Sequence, residues 1–298
     1  MKQSWKHKNE RSNTFTLKMI CWFALNTSRW LARLWLYPIT LYFYLTSPAV
    51  RISSQKYLTR AGVNNSYLSI AKHIFCFAST ILDRVYFLTN QFSRFDIKVY
   101  NRDLISECIA DKRGCILLGS HLGSFEVLRS LVIKRGQFPL KILMNYDHNA
   151  MITKVLDRLN PEVASTVIDL NDENAIFNVA ESIDEGKLVA ILSDRPTDDN
   201  SSNIECELLG DVAAFPIGPY KLAFALEVPI IVFFGVYKGG NQYEIYFEKL
   251  MDARVVKRPD REKVARDILQ KYTQTIEKYI HKAPYNWFNF YDYWHDEK

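Results

Sequence analysis

The 298-residue chain is 48% hydrophobic and 14% aromatic and carries a net charge of +5, enough apolar material for one large core or two modest ones. Its five cysteines (Cys21, Cys76, Cys108, Cys115 and Cys206) form no CxxC pair and no Cys/His cluster at zinc spacing, so they read as reduced thiols facing the cytoplasm. Residues 1–60 hold ten Lys and Arg against Glu10 alone, a balance of +9, while the rest holds 28 basic and 32 acidic groups, a balance of −4. A basic leader on a mildly acidic body argues against a nucleic-acid-reading surface and for an anionic membrane surface.

Residues 1–14 are polar and basic. From Phe15 to Pro48 the chain turns apolar, with uncharged runs at Met19–Ser28 and Leu34–Val50 separated by Arg29 and Arg33. The second run has spanning length but contains Pro38 and Pro48 and many Trp and Tyr, which prefer the interface. The expectation is a retained anchor within residues 1–50, either one span or an interfacial helix pair with Arg29 and Arg33 at head groups. The alternative is a pair of amphipathic helices packed on the body.

The pattern from Gln55 to Phe95 predicts two helices broken near Gly62-Val63-Asn64-Asn65. Beyond Arg102 strands are expected at Cys115–Ser120, Leu140–Asn145, Ser165–Asp169, Leu188–Ser193, Pro229–Val236 and Tyr243–Glu248. Helices are expected at Gly123–Lys134, Asn149–Leu159, Glu173–Glu185, Gly218–Leu226 and Asp260–Ala283. This alternation predicts an α/β fold over residues 51–298, a single domain with a central, mostly parallel sheet flanked by helices.

The stretch Cys115–Leu131, CILLGSHLGSFEVLRSL, places His121 at a strand-to-helix junction and Glu126 five residues on. In one reading the carboxylate turns back to orient the imidazole, which then removes a proton from a hydroxyl, with helix N–H groups facing the oxyanion. In the other, His121 is a satisfied structural group. Asp194 and Arg195 end an apolar strand, where parallel sheets place ligand-contacting groups. No GxGxxG or Walker loop is present, which argues against a nucleotide cofactor, and no Gly-x-Ser-x-Gly elbow is present. The acidic run Asp194, Asp198, Asp199 reads as a loop rather than a cation site, and the other histidines have no metal spacing. The tail Ala283–Trp294 has seven aromatics in twelve residues, which suits lining a cavity, lying at a bilayer or capping the sheet.

Four blocks in order resemble the bacterial lipid A biosynthesis lauroyl/myristoyl acyltransferase family, within the lysophospholipid acyltransferase superfamily marked by His-x4-Asp/Glu. They are His121-Leu-Gly-Ser-Phe-Glu126, the strand end Leu192-Ser-Asp-Arg195, the run Leu209–Ala223 containing Phe-Pro-Ile-Gly, and Pro284-Tyr-Asn-Trp287-Phe. The resemblance implies fatty acyl transfer from an acyl carrier protein thioester to a lipid-borne hydroxyl at the cytoplasmic face of the inner membrane, without cofactor, metal or covalent intermediate. It implies His121 as general base with Glu126 orienting it, and Ser124, Asp194, Arg195, Phe215, Gly218 and Trp287 around the substrate. The tail YNWFNFYDYW and the run Phe234–Asn241 look closer to acyltransferase-like members tied to aryl polyene lipid clusters, and Tyr291-Asp292-Tyr293 replaces the family's Arg-rich ending. The acceptor therefore stays open between a lipid A precursor, an aryl polyene lipid and another glycolipid. A thioesterase using the same dyad on water, and a non-catalytic lipid-binding or assembly protein, remain the alternative functions.

Overall fold

The computed structural model describes residues 21–128, 139–145, 160–161, 165–197, 202–252 and 255–294. The leader, the helix expected at Asn149–Leu159, the distal half of the helix expected at Gly123–Lys134, and Asp198 and Asp199 lie outside the described residues. After a helical turn at 21–26 come α1 (Arg29–Leu34), α2 (Leu36–Thr46), α3 (Pro48–Arg60) and α4 (Tyr67–Leu88). Pro48 at the first position of α3, with Ser47 before it, ends α2, because proline cannot extend a helix it does not begin. Ser66 caps α4 by accepting from the Ser69 N–H.

The sheet elements follow as β1 (Asp96–Tyr100), α5 (Asp103–Ala110), β2 (Cys115–Gly119), β3 (Leu140–Met144), β4 (Val167–Asp169), α6 (Ala175–Asp184) and β5 (Leu188–Leu192). A hairpin, β6 (Asn203–Leu208) and β7 (Asp211–Pro216), precedes α7 (Gly218–Leu226), β8 (Ile230–Gly239), β9 (Gln242–Met251) and α8 (Arg261–Lys282). The seven-stranded sheet has the order β1-β9-β8-β2-β5-β3-β4, with β8 and β9 antiparallel and every other pair parallel. β2 is buried throughout, as an uninterrupted apolar run in a parallel sheet requires. Its alternation sends Ile116 and Leu118 to a core shared with α7 and α8, and Cys115 and Leu117 to a core shared with α4.

Three features depart from the sequence expectations. The edge strand β1, the helix α5 and the β6–β7 hairpin are additional elements. Among the described residues no helix is long and apolar enough to cross a membrane; the run Leu34–Val50 is divided by the breaks at Trp35 and Ser47. Arg29 and Arg33 turn inward rather than to head groups. Arg29 makes a two-pronged ion pair with buried Asp83, at 2.8 and 2.7 Å, and Arg33 donates to the Tyr237 hydroxyl at 2.7 Å. A buried carboxylate on α4 attracts the nearest arginine more strongly than a solvated surface does.

Candidate active site

The site sits at the carboxyl ends of β2 and β5. These strands pair in parallel register from Cys115–Leu188 to Gly119–Leu192, and the Ser193 N–H still bonds the Gly119 carbonyl. His121 and Asp194 each lie two residues beyond the last pair, so the sheet delivers them side by side. The Asp194 carboxylate, fully buried, accepts from His121 Nδ1 at 2.8 Å through Oδ1 and from the His121 backbone N–H at 2.9 Å through Oδ2. Oδ2 also accepts from Trp287 Nε1 at 3.2 Å and Asn289 Nδ2 at 3.0 Å, while the Asp194 carbonyl accepts from the Tyr293 hydroxyl at 2.6 Å.

This network decides the protonation state of the site. Burial alone would raise Asp194, but the charge and hydrogen bond of His121, with Arg195, hold it down to about 2. The imidazole is pushed below its ordinary value by burial and by the Arg195 guanidinium, against Asp194. At neutral pH the pair is therefore a carboxylate and a neutral imidazole. An ionised carboxylate only accepts, so the proton rests on Nδ1 and Nε2 carries the lone pair. Nε2 has no hydrogen-bond partner among the described residues, and the His121 side chain is 24% exposed. The result is an oriented base with one accessible nitrogen.

The backbone around His121 is stitched to the tail. The Gly123 N–H bonds the Asn286 carbonyl at 2.7 Å, the Phe288 N–H bonds the His121 carbonyl at 2.8 Å, and the Ser124 N–H bonds the Gly235 carbonyl at 2.7 Å. Gly123 is required here: its φ is +77°, and a Cβ would fall 2.0 Å from the Gly235 oxygen. Asn286 fixes the other side, accepting from the Tyr237 N–H at 2.8 Å and donating to the Tyr237 carbonyl at 3.1 Å. Tyr272 reaches under the strand end to donate to the Gly119 carbonyl at 2.7 Å.

Fully buried His73 on α4 braces the tail from behind. Burial lowers it to about 4 against its bond to the Trp287 carbonyl, so its Nε2–H donates to that oxygen at 2.9 Å and Nδ1 accepts from Ser54 at 3.0 Å. The Tyr57 hydroxyl holds the Pro284 carbonyl at 2.7 Å.

The structure therefore brings together His121, Asp194, Arg195 and Trp287 of the expected residues, while buried Ser124 is bonded through its backbone N–H to Gly235. The carboxylate on the imidazole is Asp194. The expectation that Glu126 turns back to His121 meets a different geometry, in which buried Glu126 pairs with Arg84 of α4 at 2.8 Å. The reason is positional: parallel register places residue 194 beside residue 121, while Glu126 enters a helix that faces α4. Phe215 on β7 is fully buried, edge-on to Tyr272 and to Tyr293, so it supports the site from behind and presents no surface. Gly218 opens α7 with open space where a Cβ would stand. Sequence reading names Asn286 and Tyr293 only inside the tail motifs and does not single out Asn289 or His73; the aromatic density of the tail is the signal that points to Asn286, Asn289 and Tyr293.

Comparison with known proteins adds the family. A model described as bacterial lipid A biosynthesis acyltransferase matches residues 69–296, which include every residue of the site. No curated protein matches the chain. The chain belongs to the bacterial lipid A biosynthesis acyltransferase family, whose membership makes it an acyltransferase acting on lipids.

Proposed function

We propose that the protein is a membrane-associated O-acyltransferase that moves a fatty acyl group from an acyl carrier protein thioester to a hydroxyl of a lipid or glycolipid. The observation that carries this is the neutral His121 imidazole, oriented by Asp194 with Nε2 accessible. In this reading Nε2 takes the proton of the acceptor hydroxyl as the oxygen attacks the thioester carbonyl and a C–O bond forms. The tetrahedral oxyanion then collapses, the C–S bond breaks, and the leaving thiolate receives the proton from the imidazolium, whose charge Asp194 has stabilised. Base and proton donor are the same residue, so no covalent enzyme intermediate is needed. Glu126 in this account secures the helix after the base to α4 through Arg84.

Docking at the inner membrane's cytoplasmic face is supported by the exposed rings and aliphatic chains of the N-terminal helices. Trp22, Trp30, Trp35, Tyr37, Leu41 and Leu45 are each more than half exposed. Trp and Tyr in this density suit the interface of a bilayer, and the basic leader suits its anionic head groups. An interfacial helix group is thus the form of anchor proposed. The acceptor proposed is a hydroxyl-bearing lipid or glycolipid, with a lipid A precursor, an aryl polyene lipid and another glycolipid all open, since Tyr291 and Tyr293 are buried and Asp292 pairs with Lys56.

The test is to incubate detergent-solubilised wild type and His121→Ala protein with membrane lipid extract and labelled acyl carrier protein thioester, following the label by mass. Label in a lipid with wild type alone is the expected result and identifies the acceptor. Label released as free acid at the same rate with and without lipid would mark a thioesterase. Equal lipid labelling by both proteins would overturn the role of His121.

A further inference from the structure

Asn289 is 3% exposed, and both ends of its amide are used. Nδ2 donates to Asp194 Oδ2 at 3.0 Å and Oδ1 accepts from Arg195 Nε at 2.9 Å. The amide orientation follows from the partners, since the reverse would set a carbonyl oxygen against a carboxylate and an NH2 against a guanidinium. Asp194 and Arg195 are chain neighbours of opposite charge, and a guanidinium left loose at this place competes with His121 for the same carboxylate. Asn289 answers both demands at once: it fills one acceptor position of Asp194 and ties the guanidinium away from it. Arg195 is held further by the Phe288 carbonyl at 3.4 Å and lies over the Tyr291 ring at 5.8 Å, so the guanidinium has a seat of its own.

We propose that Asn289 is the positioning residue of this site, holding Asp194 and Arg195 in separate fixed places so that the carboxylate stays on His121 Nδ1. The inference rests on the reading of His121 as the general base. Among the described residues Trp287 shares the carboxylate but bonds no cation, and the Tyr293 hydroxyl bonds the Asp194 carbonyl, so neither performs the separation. The charged groups facing His121 are Asp194 and Arg195. Tyr272, Tyr291 and Tyr293 around Asp194 are pushed upward by burial and are neutral hydroxyls at neutral pH.

Two variants test this. Asn289→Leu keeps the branched heavy-atom skeleton and removes both bonds; Asn289→Asp keeps the acceptor for Arg195 and turns a carboxylate onto Asp194. Asn289→Leu is expected to lower kcat about tenfold or more with KM unchanged. It is also expected to weaken or move the downfield Nδ1 proton resonance of His121 in NMR spectra, a signal assigned by its absence from Asp194→Asn and His121→Ala proteins. Asn289→Asp is expected to raise the His121 titration midpoint by about 0.5–1 pH unit, because added negative charge favours the imidazolium. Folded variants with wild-type kcat, resonance and midpoint would overturn the proposal. The NMR readouts need no substrate, so their change in a protein that transfers no acyl group would reject the acyltransferase reading while the positioning role stood.

Discussion

Two buried aspartates divide the work of this molecule. Asp83 and Asp194 are both fully buried and both gather several donors. Asp83 faces a permanent cation: Arg29 grips both oxygens, Tyr243 adds a bond at 2.9 Å, and burial raises the carboxyl against them. Its network closes on itself, with Arg29 and Arg33 both reaching the Gly240 carbonyl. Asp194 faces a titratable partner whose second nitrogen points out of the network, and it is held down to about 2. Burial and charge are therefore the same in kind at both places. The difference between a clamp and a site is one nitrogen with a lone pair and an opening.

The sharpest way to break this comparison is to remove the partner of each aspartate. His121→Ala is expected to lower acyl transfer by about 10³-fold while costing only about 1–3 kcal/mol, because Asp194 keeps the donors of the residue 121 backbone, Trp287 and Asn289. Arg29→Ala strands a buried charge and is expected to cost about 3–5 kcal/mol in denaturant unfolding, with activity per folded molecule retained. If both variants lost activity and stability together, the division would fail.

The acid side of the pH profile sharpens it further. In the proposed mechanism His121 works as the neutral base, and burial with Arg195 keeps it neutral below the ordinary histidine value of 6.5. kcat/KM is expected to hold down to about pH 6.5 and to fall below it, with Asp194 ionised throughout. Stability follows a second histidine. His73 titrates at about 4 in the fold against 6.5 unfolded, so the unfolded chain binds the proton first as pH falls. Its contribution is complete above 6.5 and is lost between 6.5 and about 4, a loss of about 3 kcal/mol. Unfolding curves across that range check the slope, and His73→Asn should flatten it.

The smallest effects belong to the exposed N-terminal face. Leu41→Glu with Leu45→Glu, one turn apart on α2, is expected to change stability by no more than about 0.5 kcal/mol per site and to reduce sedimentation with anionic vesicles. Unchanged vesicle binding would remove that face from the account.

How much of this was legible in the sequence follows from which forces act locally. β2, β5 and α7 could be read because an all-apolar run and a Gly-Pro helix start are local signals. β1 was missed because an edge strand alternating exposed and half-buried residues carries no apolar run, and the hairpin because its first strand signals by alternation, Ile204, Cys206 and Leu208 against exposed Glu205 and Glu207, rather than by an apolar run. At the site, His121 stood out by its junction and Asp194 by its strand end. That they bond each other is a matter of register between strands 73 residues apart, and spacing along the chain favoured the nearer Glu126. Asn289 and His73 act through long-range contacts that leave no trace in spacing.

The most direct test of the central claim sets the two carboxylates side by side, measuring single-turnover acyl transfer by Asp194→Asn and Glu126→Gln proteins of verified fold. The account predicts that Asp194→Asn falls about 10³-fold or more, because the imidazole loses its orienting acceptor, and that Glu126→Gln stays within about tenfold of wild type and loses mainly stability. A Glu126→Gln protein without activity beside an active Asp194→Asn protein would contradict it.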